Sequence, residues 1–208
     1  MNREAAGRKL ARVATDAVMR SPRLWTIFRP LLRREFDRLA PRWDAMRSEG
    51  AYAPYEAALE QVDPPVRALD LGTGTGAGAF AIARRFPEAS VVGVDVAPIM
   101  VEEARRRMPA ALRGRVGFEV ADASRLPYED GSFDLVGHGN MIPFFDELAR
   151  VLGPGGFALF AFSAGRETPI YVTPDRLRAE LDRRGFTDFA EISAGAGTAF
   201  LARAPAGE

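Results

Sequence analysis

The residues best placed to do chemistry are a glycine-rich run, Asp70-Leu71-Gly72-Thr73-Gly74-Thr75-Gly76, and two later carboxylates, Asp95 and Asp122. A glycine run between a strand and a helix lets the backbone approach a ligand closely, and the helix start offers unpaired N–H groups to an anion. Asp70 precedes the first glycine and would repel a pyrophosphate, so it suits a ligand carrying an ammonium or another cationic centre. Asp95, at the end of the next predicted strand, suits a pair of ribose hydroxyls. Asp122, at the end of the third, suits an exocyclic amine. Three carboxylates at three successive strand ends describe one crevice. A nicotinamide enzyme is the competing reading of the glycines. Its short-chain form needs a tyrosine and a lysine four positions apart, and the single lysine, Lys9, has no such tyrosine before it.

Two further residues are candidates for catalysis. His138, the one histidine, is expected just past the fourth strand at the mouth of the crevice, where an imidazole titrating near neutral pH serves as a general base. The alternative is a histidine that packs or bonds to a loop carbonyl. Asn140 either orients an acceptor or caps the following turn.

The elements that must position these groups follow from hydrophobic period and turn residues. Short apolar runs at 66–71, 90–94, 116–120, 133–136 and 157–162 read as strands, and amphipathic stretches at 77–86, 99–108 and 145–152 read as helices between them. Asp130-Gly131 and Gly153-Pro154-Gly155-Gly156 read as turns. Thr173-Pro174-Asp175 and Gly185 bracket a last helix, and Gly195-Ala196-Gly197 joins strands at 189–192 and 198–202 as a hairpin at the sheet's edge. The fold expected is α/β: a Rossmann-like, doubly wound, mostly parallel seven-stranded sheet with a C-terminal antiparallel hairpin and N-terminal helices. Residues 1–62 are expected to form a helical lid or extension and residues 63–208 the ligand-binding domain. In the lid, Ser21-Pro22 predicts a new helix start, and Trp25, Phe28, Leu31, Leu32, Phe36 and Leu39 form one stripe, with a kink expected at Pro30.

Composition narrows the classes of function. The 208 residues carry 28 basic and 28 acidic side chains, so no overall field favours a polyanion, and nucleic acid is not the expected partner. The absence of cysteine excludes disulfides, thiolate metal sites and cysteine nucleophiles, and one histidine leaves no multi-histidine metal site. No metal is expected. No apolar run is long enough to span a bilayer, and Arg12 and Asp16 interrupt the N-terminal apolar positions, so a cytoplasmic location is expected. Basic residues concentrate before Arg47. They flank an apolar stripe, which suits a lid on the sheet domain, with contact to an anionic membrane as the alternative.

The ordered set Val66 to Gly76, Gly93-Val94-Asp95, Asp122-Ala123 with Leu126-Pro127, Asp130 to Val136 and Arg150 to Gly156 resembles the class I S-adenosylmethionine-dependent methyltransferases. It is similar in particular to the small-molecule branch with the ubiquinone and menaquinone methyltransferases (methyltransferase type 11), whose N-terminal motif Phe36 to Asp44 resembles. The resemblance implies that Asp70 and the backbone of Gly72, Thr73, Gly74 and Gly76 hold the methionine portion of S-adenosylmethionine, and that Asp95 binds its ribose. It also implies that Val96 and Met100 flank adenine, that Asp122 takes the adenine amine, and that the Ala123 amide takes a ring nitrogen. Trp43 stands where the branch has tyrosine, and either closes over the cofactor or packs in the core. The implied activity is methyl transfer to a small, apolar or aromatic acceptor; a non-catalytic cofactor-binding protein on the same fold is the alternative. The stretch from Gly137 to Asp146 is shorter than the family's substrate-contacting loop, which motivates that alternative.

Overall fold

Alternating apolar runs and amphipathic stretches become, in the computed structural model, a layered sheet; the structure describes residues 3–207, with side chains from residue 5. The strands are β1 (Arg67–Leu71), β2 (Ser90–Asp95), β3 (Val116–Val120), β4 (Phe133–Gly139), β5 (Leu152–Phe162), β6 (Thr187–Ala194) and β7 (Gly197–Arg203). They lie in the order β3-β2-β1-β4-β5-β7-β6. β1 to β5 pair in parallel, and β7 runs antiparallel to both β5 and β6. This is the expected α/β sheet with its reversed strand and edge hairpin.

Helices α1 (Arg3–Arg20), α2 (Trp25–Leu39) and α3 (Ala53–Leu59) precede the sheet, while α4 (Ala77–Arg85), α5 (Pro98–Arg106), α6 (Phe145–Val151) and α7 (Pro174–Asp182) connect its strands. Strand side chains alternate between faces, and each face has its own core. Leu69, Leu71, Val136 and Phe160 pack with α1, α2, α6 and α7, whereas Ala68, Leu135 and Leu159 pack with α3, α4 and α5. The N-terminal helices therefore enter the main core. Ala11, Ala14 and Val18 of α1 and Trp25 and Leu32 of α2 are buried at helical spacing. Arginines fasten them: Arg8 donates to the Glu167 carbonyl at 2.8 Å, Arg12 to the Thr168 carbonyl at 3.0 Å, and Arg176 to the Met19 carbonyl at 2.8 Å.

Several local expectations change. Ser21 makes no side-chain cap; Pro22–Leu24 forms a 3-10 turn, and α2 starts at Trp25 and continues through Pro30. Leu31, 51% exposed, leaves the predicted stripe because its neighbour Leu32 takes the inward position. The Gly153 to Gly156 run is not a free turn. α6 passes directly into β5, Leu152 pairs with Phe133, and Gly155 donates to the Pro205 carbonyl, so chain irregularity is absorbed as a register shift inside the sheet. At the other end Thr173 caps α7 as expected, its hydroxyl accepting from the Arg176 amide. Among the described residues no helix is long and apolar enough to cross a membrane.

Candidate functional site

The strand order reverses between β1 and β4, which makes the carboxyl end of that pair the place where an open α/β sheet leaves a crevice. A cavity of about 110 Å³ lies there. Its floor is Gly72 after β1, Asp95 and Val96 at the end of β2, Ala121 and Ala123 after β3, and Gly139 and Asn140 at the end of β4. Met100 of α5 closes one side. The roof is Trp25, Leu32 and Phe36 of α2 together with Trp43, Arg47 and Tyr52 from the segment leading to α3. Of the residues singled out in the sequence, Gly72, Asp95, Val96, Met100, Ala123, Trp43 and Asn140 meet in this one space.

Gly72 has φ +64°, a conformation that favours glycine, and a Cβ added to it would lie 2.7 Å from the Met141 side chain and force it to shift. The loop holds itself by its own polar groups: Thr73 donates its amide to the Val94 carbonyl, and Gly74 donates its amide to Asp95 Oδ2 at 2.9 Å. Thr73, Gly74 and Gly76 thus shape the loop from behind and do not line the cavity.

Asp70 also stands behind the loop. The strand alternation that sends Leu69 and Leu71 to one face sends Asp70 to the other, where it accepts from Tyr55 Oη at 2.9 Å, Thr73 Oγ1 at 2.6 Å and the Ala79 amide at 2.9 Å. It is 2% exposed, and desolvation pushes its carboxyl up to about 6 against the pull of those three donors. The expectation of direct contact with a methionine ammonium is corrected: the carboxylate is spent on the start of α4 and on Tyr55.

Asp95 faces the cavity. Its Oδ1 accepts from the Ala97 amide and its Oδ2 from the Gly74 amide, each at 2.9 Å, which fixes its orientation. Burial pushes this carboxyl up to about 6 as well, although both amides favour the ionised form. Val96 and Met100 beside it supply apolar walls for a planar ring.

Asp122 lies outside this cavity, in a groove shared with Arg29, Arg33 and Val120. Its Oδ1 accepts from Trp25 Nε1 at 2.8 Å and from the Ser124 amide and hydroxyl at 2.9 and 2.7 Å, while Oδ2 accepts from Arg29 at 2.7 Å. Burial alone would raise its pKa, but the donors from Arg29, Ser124 and Trp25 outweigh burial and hold it below the ordinary carboxylate value.

His138 is not past the fourth strand. β4 extends to Gly139, and alternation turns the imidazole into the core beside Val136, where it stacks on Phe160 with centroids 4.5 Å apart. Nδ1 lies 3.2 Å from the Leu159 carbonyl, while Nε2 is buried without a partner, and desolvation lowers the pKa to about 4. The expectation of a base at the crevice mouth is corrected, because the ring is 1% exposed and does not line the cavity. Asn140, at φ +52°, donates to Ser163 Oγ at 3.1 Å and accepts from the Ser163 amide at 2.9 Å. Both ends of its amide tie β4 to β5, so it supports the floor of the cavity.

Arg47 and Met141 line the cavity and were not singled out in the sequence, whereas Tyr52 was among the aromatics expected to line or cover the site. Arg47 reaches the cavity with its guanidinium 4.2 Å from the Tyr52 ring centroid and within 3.1 Å of Asp44. It is the cationic side chain of this lining. Tyr52 lies beside it, its hydroxyl pushed up to about 12 by desolvation. Met141, in the short loop between β4 and α6, covers Gly72. Nothing in a basic stretch distinguishes one arginine that turns inward, so the only signal was Arg47's place at the end of that stretch.

Residues 68–156 match the methyltransferase domain family. The chain is 39% identical over 157 residues to the malonyl-[acyl-carrier protein] O-methyltransferase of Halorhodospira halophila, a match covering 69% of this chain and 51% of the relative. It is 43% identical over 137 residues to the demethylmenaquinone methyltransferase of Thermus thermophilus, covering 58% of this chain and 60% of the relative. The match to these curated relatives thus spans about half to three fifths of their length. Among solved structures, an S-adenosylmethionine-dependent methyltransferase from Aquifex aeolicus shares the fold, with a TM-score of 0.65 at 16% identity over 79% of this chain and 97% of that one. The family match and the relatives support a class I methyltransferase domain of the small-molecule branch, as the sequence resemblance implied.

Proposed function

We propose, from the match of residues 68–156 to the methyltransferase domain family and the cavity at the end of β1, that this protein binds S-adenosylmethionine and directs its methyl group to a small, apolar or aromatic acceptor. The observation that carries the reading is the convergence of Gly72, Asp95, Val96, Met100 and Ala123 on one cavity at the topological switch point. Bound S-adenosylmethionine supplies a methyl group already activated on a sulfonium. The protein's tasks are then to bind, to align the reacting atoms about 3 Å apart and to exclude water.

In this reading Asp95 accepts from the ribose hydroxyls, Val96 and Met100 sandwich the adenine, and the Ala123 amide and Asp122 read its edge. The Gly72 backbone borders the methionine portion, held in place by the loop through Gly76, and Arg47 pairs with its carboxylate, while Trp43 closes over the glycines, its Nε1 lying 3.5 Å from a Cβ built on Gly74. Asp70 acts through the loop it holds. On the acceptor side the lining is apolar and aromatic, from Phe36, Ile142, Phe144 and Ile170. The relatives' names span an acyl-carrier-bound acid and a quinone ring, so the acceptor is read from the cavity and not from them. With His138 outside the cavity and the Tyr52 hydroxyl held near 12, the reading favours an acceptor whose nucleophile arrives already ionised.

Calorimetric titration with S-adenosylmethionine, followed by methyl transfer from labelled cofactor to a panel of aromatic and apolar acids, tests this reading. Asp95→Asn is expected to weaken cofactor binding by roughly tenfold or more, through loss of the charged acceptor. Equal binding by Asp95→Asn and the unaltered protein overturns the ribose assignment; cofactor binding without turnover on any acceptor favours the non-catalytic alternative.

A further inference from the structure

The cavity that collects the cofactor-binding residues is about 110 Å³, and a second of about 390 Å³ shares Leu32, Phe36, Trp43, Arg47, Asn140 and Ile170 with it. Two elements narrow the first. Met141 lies against Gly72, where the methionine portion belongs, and α2 lies across the adenine end. The contact of α2 there is specific. Trp25 and Arg29, one helical turn apart, both donate to Asp122, at 2.8 and 2.7 Å, and Trp25 also packs edge-on against Phe144 with centroids 5.3 Å apart.

An ionised carboxylate offers about four lone-pair positions. Asp122 receives four donors: Trp25 Nε1, the Ser124 amide and the Ser124 hydroxyl on Oδ1, and Arg29 on Oδ2. The two from Ser124 are local and belong to the turn after β3. The two from α2 come from an element more than 90 residues away in sequence, one on each oxygen, and they hold α2 against the carboxylate that an adenine amine would approach.

We propose that Trp25 and Arg29 form a latch that competes with the cofactor's adenine amine for Asp122, so that the amine takes its place there only by displacing donors of α2. The inference rests on the cofactor reading above and adds a regulation to the same site. The latch also gives selectivity, since a nucleoside without the 6-amine cannot take the latch's place on Asp122. Arg29 is half exposed, so salt weakens its share of the latch, while the Trp25 share is sheltered against Phe144.

The test is calorimetric binding of S-adenosylhomocysteine, and of its analogue carrying purine in place of adenine, to the full chain and to Trp25→Phe and Arg29→Gln. Trp25→Phe keeps the ring against Phe144 and removes the donor; Arg29→Gln alters an exposed side chain and guards against a folding defect in the first variant. The expected result is on the order of threefold to tenfold tighter binding of S-adenosylhomocysteine by each variant, the fold-change that one hydrogen bond to a carboxylate is worth, with a smaller gain for the purine analogue. Unchanged or weaker binding by both variants, with the unaltered protein binding normally, overturns the latch and leaves the cofactor reading standing. Equal gains for both ligands overturn the competition at Asp122. Failure of the unaltered protein and both variants to bind either ligand overturns the cofactor reading, and the latch with it.

Discussion

Three buried titratable groups sit close together in this sheet, and their signs differ. His138 has its pKa lowered from 6.5 to about 4 by desolvation, so the unfolded chain takes up its proton first, and the stability it supports above pH 6.5 is lost as pH falls towards 4. Asp70 and Asp95 are raised from 3.8 to about 6, again by desolvation, so the folded chain is protonated first and gains stability as pH falls through 6. Between pH 7 and 5 these contributions oppose one another. We predict a nearly flat stability over that window, measured by urea denaturation. His138→Asn, which keeps a donor near the Leu159 carbonyl and removes the titration, is predicted to become more stable at pH 5 than at pH 7 by about 2 kcal/mol. A variant that stays flat contradicts a buried neutral imidazole. The same reasoning predicts that cofactor affinity declines as pH falls through about 6, because protonated Asp95 is a poorer acceptor for ribose hydroxyls; titration at pH 5, 6 and 7 measures it. Asp95 was legible from its place at a strand end, since a strand end at the switch point has few other uses. His138 was misjudged by the extent of β4: the Gly137-His138-Gly139 run looks like a turn, yet pairing with β5 keeps it extended.

At the scale of elements, α3 is short but sets the loop that follows β1. It brings Tyr55 under the sheet, where the hydroxyl donates to Asp70 and sits against Gly137, a position at which a Cβ would collide with it. Tyr55→Phe removes one of three donors to a buried carboxylate, and is predicted to cost about 1–3 kcal/mol at pH 7. The loss should shrink at pH 5, where Asp70 is protonated and needs the donor less; paired denaturation curves at the two pH values separate this from simple loss of packing. The seven strands and the helices between them were largely readable because hydrophobic period and strong punctuation agreed: proline in the first turn of α5 and α7, glycine after α7. One boundary was not. Gly153 to Gly156 carries every mark of a turn, but the partner strand and Pro205 supply hydrogen bonds that hold it in β5.

For the whole molecule, the question is whether the basic N-terminal helices are an appendage. Ala11, Ala14 and Val18 share a core with Leu69, Val136 and Phe160, so the apolar stripe of α1 is turned inward and packs on the sheet. One cooperative unfolding transition is therefore predicted, with far-ultraviolet circular dichroism and tryptophan fluorescence, the latter reporting Trp25 and Trp43 of the lid, giving coincident midpoints. An earlier fluorescence transition shows instead that residues before α3 unfold as a separate unit. The predicted latch belongs to this scale too, because it makes the lid and the cofactor alternatives at Asp122.

What the sequence by itself determined was the sheet and the list of groups at its carboxyl ends, because period, punctuation and strand-end position are local and repeat along the chain. It named Asp70, Asp95 and Asp122 as equivalent members of one crevice. Only the tertiary structure separated them: pleat alternation turned Asp70 behind the loop, backbone amides fixed Asp95 on the cavity, and α2 claimed Asp122. A carboxylate's role depends on which donors reach it, and those donors came from elements distant in the chain, where no spacing rule applies.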